Sequence, residues 1–272
     1  MTGWELHLIK PPSLALDASS LSCLEEIANE KEANQLALTA STPSQTVLAG
    51  ELFRIVKRND DRIVIIGDVP FLHRIGFGWR RRSMLIEGDV GAGLGTHMRG
   101  GHIELRGNAS RDVGCQMRGG ILQVSSDVGD YLGGPLSGRR SGMSGGRVIV
   151  QGNAGHHVGH RMRRGTIVVA GSCGDAVASD MVAGTIVVGH EAGKYVAAGM
   201  KRGTLILGCP AILDPVMFGS PRLQDLAVMR LLATDLKYDA PEISNALAHP
   251  VSRSLGDRSA GGQGEVWMMM RA

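Results

Sequence analysis

The sequence predicts an all-β protein built as a single-stranded parallel β-helix, in which each coil turns at glycine corners. Three observations lead to this prediction: methionines recur with a fixed period, a short apolar pattern recurs with the same period, and glycine is abundant while aromatic residues are scarce. Glycine occupies 39 of the 272 positions, and aromatic residues make up only 4%. Such a composition argues against an ordinary globule with an aromatic-packed core.

Six methionines mark the period: Met98, Met117, Met143, Met162, Met181 and Met200. Four of the five gaps are 19 residues, and the gap from Met117 to Met143 is 26, or 19 plus a seven-residue insertion. Identical positions in successive coils stack above one another, so we expect an internal ladder of methionines, with Trp79 in the preceding slot. Unbranched thioether side chains suit the irregular space inside such corners.

Each repeat unit opens with a short strand pattern. The units start at Arg82, Gly101, Gly120, Gly146, Gly165 and Gly184, with a partial copy from Gly203. Apolar side chains stand two and four residues after each start, as at Ile103 and Leu105, which is the alternation of a strand with one buried face. Turn-forming residues such as glycine, aspartate and asparagine follow the strands. One unit therefore suffices for one coil, and neighbouring coils would lie about 4.8 Å apart.

The array is flanked by two segments without the repeat. We expect an N-terminal cap segment at 1–49, the β-helix repeat domain at 50–209, and a C-terminal tail at 210–272. The expected elements outside the clear repeats are a strand at 4–9, a helix at 22–31, a weak first repeat at 51–55, a helix at 222–236 and a final strand at 265–270. These short α/β caps would cover the strand edges that a repeat array otherwise exposes at its ends.

Charge and hydropathy exclude several classes of function. The net charge of +3 is mild, so no nucleic-acid partner is expected. No apolar run approaches the length of about 18 residues that a membrane helix needs. The first residues lack the basic and then apolar order of a signal peptide, so we expect a cytoplasmic protein that does not contact a membrane.

No motif indicates a catalytic or metal site. The cysteines are Cys23, Cys115, Cys173 and Cys209, far apart and without a C-x-x-C pair, so we expect free thiols. His156, His157 and His160 form the best metal-like cluster, but polar residues on a loop or interface are the preferred interpretation. Nucleophile elbows, P-loops and HExxH are missing from the sequence. We therefore predict no catalytic residue and no metal.

One position of the repeat is basic in most units. The residues that follow the ladder positions are Arg80, Arg99, Arg118, Ser144, Arg163, Val182 and Lys201, and Arg202 stands next to Lys201. Stacked like charges repel one another, which is unfavourable unless an anion lies along them. One interpretation is a track for an extended polyanion, since arginine holds carboxylates bidentately. The alternative is a solvated corner paired with Asp89, Asp127, Asp130 or acids of another subunit.

The units at 98–109 and 142–155 resemble the glycine-rich repeat shared by two protein families. The first is the C subunit of formylmethanofuran dehydrogenase, with its bacterial counterpart in the formyltransferase/hydrolase complex. The second is the C-terminal domain of the glutamate synthase large subunit. In both families the repeat builds a right-handed β-helix, in line with the right-handed crossover rule. The resemblance therefore implies a right-handed coil here.

The plan of the whole chain resembles the first family over roughly residues 45–270. The array follows a short N-terminal region, and the tail contains Gly256-Asp257 and the run 262–266. Later units depart from the family pattern, because Arg164, Ala183 and Arg202 replace the first glycine of the pair. The alanine- and arginine-rich, lysine-poor composition favours the bacterial version of the complex.

The first family implies a subunit of an enzyme complex, without an active site of its own. Its partners would be amidohydrolase-like, formyltransferase and molybdopterin-enzyme-like subunits. Together they would transfer a formyl group between tetrahydromethanopterin and a methanofuran- or methylofuran-type carrier, and interconvert that group with formate. No covalently bound cofactor is expected. The carrier has a glutamate-rich tail, which is a polyanion.

Two sets of residues are the candidate sites. We predict that the carrier's polyglutamate tail binds Arg80, Arg99, Arg118, Arg163, Lys201 and Arg202. From Gly146 onward the outward strand position is also apolar, so that face must be covered, and we expect Ile149, Val168, Val187 and Ile206 to form part of a partner interface. The alternative function is a structural β-helix subunit of a glutamate-synthase-like amidotransferase.

Overall fold

A 13-stranded sheet runs through the part of the molecule that the structure describes. The structure is a computed structural model and describes residues 3–40, 45–225, 227–238, 241–247 and 249–269. Its strands are β1 (Gly3–Leu8), β2 (Leu16–Asp17), β3 (Ala37–Ala40), β4 (Thr46–Leu48), β5 (Phe53–Arg58), β6 (Ile63–Ile66), β7 (Leu72–His73), β8 (Ser83–Glu87), β9 (Arg99–Arg106), β10 (Arg118–Val124), β11 (Ser144–Val150), β12 (Arg164–Val169), β13 (Thr185–Val188), β14 (Arg202–Leu207), β15 (Arg222–Gln224), β16 (Val251–Gly256) and β17 (Gln263–Met269). The prediction of a protein made mostly of strands is confirmed.

Helices lie outside the repeats. The α-helices are α1 (Glu30–Asn34), α2 (Ala49–Leu52), α3 (Ala227–Leu236) and α4 (Pro241–Ala246), and 3-10 turns span Ser19–Glu25 and Arg258–Ala260. A second, smaller sheet has the order β4-β3-β2-β7. Among the described helices, none combines the length and the hydropathy that crossing a bilayer requires.

The repeat strands pair in parallel and in the order of the sequence, from β6 and β8 through to β14. Their register keeps equivalent positions opposite one another: Met84 faces Ile103, Ile103 faces Leu122, and Leu122 faces Val148. These side chains are buried. The alternation read from the sequence therefore places one apolar face of each strand in the core.

A second line of contacts joins the same units after each strand. Parallel bridges link Val69, Val90, Ala109, Val128, Ala154, Cys173 and Ala192 in succession. Each of these residues stands a few positions beyond its strand, and all are buried except the partly buried Ala192. Successive units thus meet both through their strands and through this second line.

The predicted methionine ladder is confirmed as core. All six methionines of the period, together with Trp79, have no exposed surface. Each of the first five methionines packs against a glycine of the following unit. A Cβ on Gly120 of β10 would stand 2.7 Å from Cε of Met98, and one on Gly146 of β11 would stand 2.7 Å from Cε of Met117. Both glycines have φ near +90°, at +88° and +89°, so only glycine fits this position without strain.

Extra strands cover both edges of the repeat sheet. The predicted strand at 4–9 is observed as β1, which pairs in parallel with β6 and antiparallel with β5. At the other end β17 pairs in parallel with β14 and antiparallel with β16. The final strand predicted at 265–270 corresponds to β17, and its last residue, Met270, lies outside the described residues.

Three predicted elements need correction. In place of one helix at 22–31 there are a 3-10 turn and α1, because Asn29 is extended and its side chain accepts the N–H of Glu32 at 2.8 Å, which starts a new helix. The weak repeat at 51–55 is divided between α2 and β5, whose pairing with β1 is antiparallel. The helix predicted from residue 222 begins only at α3, since 222–224 pair with β16 as β15; Leu226 lies outside the described residues.

The outward apolar face is covered by the chain itself. Ile149, Val168, Val187 and Ile206 are at most 2% exposed and pack with Met229 and Leu236 of α3, Ile243 of α4, Leu247, Val251, Trp267 and Met269. The guanidinium of Arg147 fastens this layer by donating to the side chain and the backbone carbonyl of Asp235, both at 3.1 Å. The expectation that these four residues form part of a partner interface is therefore wrong.

Candidate functional site

The predicted basic column is stacked by backbone hydrogen bonds. The N–H of Arg99 donates to Trp79 O at 2.7 Å, that of Arg118 to Met98 O at 2.8 Å, and that of Arg163 to Met143 O at 2.8 Å. Ser144, Val182 and Lys201 make the same bond to the ladder residue of the unit before. Each column residue thus follows directly above its predecessor, at the roughly 4.8 Å spacing of neighbouring strands.

The basic side chains of the column point to solvent. Arg80, Arg99, Arg118, Arg163, Lys201 and Arg202 are all exposed. Among the ion pairs of the described residues, none involves any of these six side chains. The column therefore presents a line of cations with room for an external anion.

The acids suggested as partners of the column have other roles. Asp89 accepts the N–H of Asn108, and Asp127 accepts that of Asn153, both at 2.7 Å. Asp130 accepts the N–H of His156, also at 2.7 Å. These carboxylates join successive units at the corners beyond the strands. The alternative of a corner neutralised by these three residues is not supported by the contacts.

A carboxylate of the chain itself lies at the N-terminal end of the column. Glu25 accepts backbone N–H groups from Arg80 at 3.2 Å, Arg81 at 2.8 Å and Arg82 at 3.0 Å. Three converging donors of this kind suit an anionic oxygen pair. Sequence reasoning missed this contact, because 55 residues separate Glu25 from Arg80 and no local pattern connects them.

The seven-residue insertion brings a further cation to the column. Burial lowers the pKa of His97, and the positive charges of Arg118, Arg139 and Arg99 lower it further. The insertion that carries Arg139 is tied to the unit of Arg118 by the bond from Gln116 Nε2 to the carbonyl of Ser141 at 3.3 Å. The sequence indicated that the insertion carries arginines, but not where they would lie.

Of the three neighbouring histidines, His157 and His160 lie in one aromatic cluster with Tyr131, whereas His156 makes a separate contact. His156 Nδ1 accepts the N–H of Asp175 at 2.9 Å, His157 stacks on Tyr131 with ring centroids 4.8 Å apart, and His160 Nδ1 lies 2.9 Å from Ser179 Oγ. Within the described residues there is no group of three or more His, Cys, Asp or Glu side chains that could hold a metal ion.

The four cysteines, all within the described residues, are thiols that form no disulfide bond, as predicted. Cys23 is exposed, whereas Cys115, Cys173 and Cys209 are buried. Burial raises the pKa of Cys115 far above its usual range and that of Cys173 to about 12. Such thiols stay protonated near neutral pH and are poor nucleophiles.

The column has the chemistry of a binding surface. Guanidinium groups hold carboxylates with paired, charge-assisted hydrogen bonds, and their regular spacing suits an anion with several charges along a chain. Exposed cations at this spacing repel their neighbours by roughly 1 kcal/mol each in water. A bound polyanion would remove that repulsion.

The chain is similar over its whole length to a chain of the formyltransferase/hydrolase complex (FhcABCD) from Methylorubrum extorquens, whose X-ray crystal structure is in complex with methylofuran. The two chains share 35% sequence identity, and the match covers 98% of this chain and 100% of that chain with a TM-score of 0.90. No protein-family model matches the sequence, and no curated protein matches it either.

Proposed function

The chain belongs to the C-subunit family of formylmethanofuran dehydrogenase and the bacterial formyltransferase/hydrolase complex, and we propose that it serves in such a complex as a scaffold without an active site of its own. The observation that carries this proposal is the match along 98% of the chain at a TM-score of 0.90. In this role the chain supports amidohydrolase-like, formyltransferase and molybdopterin-enzyme-like subunits in the cytoplasm. These partners transfer a formyl group from tetrahydromethanopterin to a methylofuran-type carrier and release it as formate.

We propose that the scaffold is a single-stranded, right-handed parallel β-helix with one coil per repeat unit. Three features support this: the parallel pairing of the repeat strands in sequence order, the second line of parallel bridges, and the buried methionine ladder. Residues 1–49 and 210–272 act as caps on the array at 50–209. Their role is supported by β1 and β17, which pair with the first and last repeat strands, β6 and β14.

The basic column is proposed to hold the carrier's polyglutamate tail. Its side chains are exposed, they repeat at the spacing of the strands, and the three acids that could have neutralised them bind backbone N–H groups instead. The related complex was crystallised with methylofuran. With an extended tail along the column, several successive carboxylates would each contact an arginine or a lysine.

The test is to replace four column residues together in the purified complex, as Arg99→Gln, Arg118→Gln, Arg163→Gln and Lys201→Gln. Loss of four charge-assisted contacts of about 0.5–1 kcal/mol each should lower carrier retention at least tenfold. All four side chains are exposed, so assembly should be unchanged. Mass spectrometry of the native complex would measure the carrier and the partner subunits together.

A matched control removes the same number of charges at exposed residues outside the column. Lys10, Lys31, Arg54 and Lys57 are exposed residues of the N-terminal region, and replacing them with glutamine should leave the carrier content unchanged. Equal carrier content in the column variant and the parent would reject the tail-binding proposal. Co-purification with a glutaminase and a flavin enzyme would instead favour the glutamate-synthase-like alternative.

A further inference from the structure

The insertion leaves its repeat unit intact. In the preceding unit the N–H of Met117 donates to Gly114 O at 3.1 Å, and the equivalent bond runs from Met143 to Gly133 O at 2.8 Å. The first pair is three positions apart and the second is ten positions apart, a difference of seven. Residues 135–141 therefore leave the unit as a loop and return to it without displacing the ladder.

This loop is fastened beside the basic column. Gln116, in the unit before, donates from Nε2 to the carbonyl of Ser141 at 3.3 Å. Inside the loop the N–H of Arg139 donates to Leu136 O at 2.9 Å, which closes a turn. Gln116 stands two positions before Arg118 in the sequence, so the tie holds the loop next to a column residue.

The column lacks a charge at two units, those of Ser144 and Val182, and the loop occurs at the first of them. Its column residue is Ser144, between Arg118 below and Arg163 above. Ser144 is partly exposed, and Arg139 and Arg140 of the loop are exposed. Without another cation, an anion along the column would cross about 10 Å between Arg118 and Arg163, which is two strand spacings.

The backbone of the loop holds its arginines at the unit beside Arg118. The bond from Gln116 Nε2 to the carbonyl of Ser141 fixes the end of the loop, and the bond from Arg139 N to Leu136 O fixes the turn that carries Arg139. Burial lowers the pKa of His97, and the positive charges of Arg118, Arg139 and Arg99 lower it further. Cations that repel one another favour a bound carboxylate.

We propose that Arg139 and Arg140 supply the positive charge that Ser144 lacks, so that the insertion holds a polycarboxylate chain at the middle of the column. This inference rests on the proposed binding of the anionic tail. The insertion is then a determinant of affinity for the tail. The two loop arginines supply at this unit the positive charge that Arg118 and Arg163 supply at the neighbouring units.

The test measures binding of a fluorescein-labelled γ-linked decaglutamate to the full chain at low salt. The variant Arg139→Gln/Arg140→Gln should bind roughly three- to tenfold more weakly, since two partly exposed charge contacts are lost. Adding Ser144→Arg to this variant should restore most of the affinity, because it places the cation directly in the column. The pair Arg54→Gln/Lys57→Gln on β5 is the matched control, and its affinity should equal that of the parent.

The outcomes separate this inference from the proposed function. If Arg99→Gln/Arg118→Gln weakens binding while Arg139→Gln/Arg140→Gln does not, the role of the insertion is rejected and the column stands. If Ser144→Arg does not restore affinity, the proposal that the loop supplies the charge missing at this unit is also rejected. If neither pair weakens binding, both proposals fail. Equal thermal unfolding temperatures of the variants would show that any loss of affinity does not come from unfolding.

Discussion

At one corner beyond the repeat strands, a side chain in each of three successive units accepts a hydrogen bond from the backbone of the next. Asp130 accepts from His156 N at 2.7 Å, His156 Nδ1 from Asp175 N at 2.9 Å, and Asp175 from Lys194 N at 2.7 Å. A neutral imidazole with its proton on Nε2 thus takes the place of a carboxylate. What this position requires is a short acceptor, whatever its charge.

His156 can therefore be exchanged for an aspartate. The change His156→Ala removes the acceptor for Asp175 N and should lower the free energy of unfolding by about 1 kcal/mol. His156→Asp keeps an acceptor at the same place, as at Asp130 and Asp175, and should cost about half of that or less. Urea unfolding of the two variants would measure the difference, and equal losses would contradict the role of the acceptor.

At the level of the repeat unit, glycine and methionine form one packing device. The methyl groups of the first five ladder methionines fill the space beside a glycine of the following unit. A side chain on Gly120 would also come within 2.8 Å of the backbone of Gly100, and backbone cannot rotate away. Glycine is therefore required twice at this position, by its positive φ and by the close approach.

Two alanine variants separate these requirements. Gly120→Ala should lower the free energy of unfolding by about 3 kcal/mol, from the left-handed backbone and from overpacking together. Gly78→Ala is the control, because Gly78 has φ +68° but nothing within 4 Å of its added Cβ, and it should cost only about 1 kcal/mol. Denaturant titration would measure both. Similar losses would mean that the close contacts at Gly120, with Met98 and with the backbone of Gly100, add nothing.

Considered as a whole, the molecule uses its C-terminal segment to cover one face of the repeat sheet. Trp267 and Met229 belong to the cluster that buries Val168 and Val187. The two units just before Ile149 have polar residues at the same offset, Glu104 and Gln123, which are partly exposed. The change from polar to apolar residues along this offset marks how far the C-terminal layer extends.

Because the covering layer belongs to the chain itself, a charge placed under it should destabilise the isolated chain. Val187→Asp places a carboxylate in the buried cluster and should lower the free energy of unfolding by at least about 3 kcal/mol. Gln123→Asp is the matched control at the same offset outside the layer, with an expected loss below about 1 kcal/mol. Thermal unfolding of the isolated chain would decide. An unfolding temperature of Val187→Asp equal to that of the parent would mean that the cluster is not buried in solution.

Period, strand positions and the buried methionine ladder could be determined from the sequence, because each depends on residues a few positions apart that recur at a fixed interval. Met98, Met117 and their equivalents needed only the repeat to be recognised as core. The exposed column was predicted for the same reason, since Arg99 and Arg118 occupy one offset.

Only the tertiary structure decided what the irregular segments contact. Three contacts join residues without a common period: the covering of Ile149 and Ile206 by α3 and α4, the docking of Glu25 on the backbone of Arg80, and the bond from Gln116 to Ser141 of the insertion. Such contacts depend on how far each segment reaches and on which surface is left uncovered, and neither is encoded within a short stretch of sequence. The partner-interface prediction was wrong for this reason, because the apolar face is visible in the sequence and its cover is not.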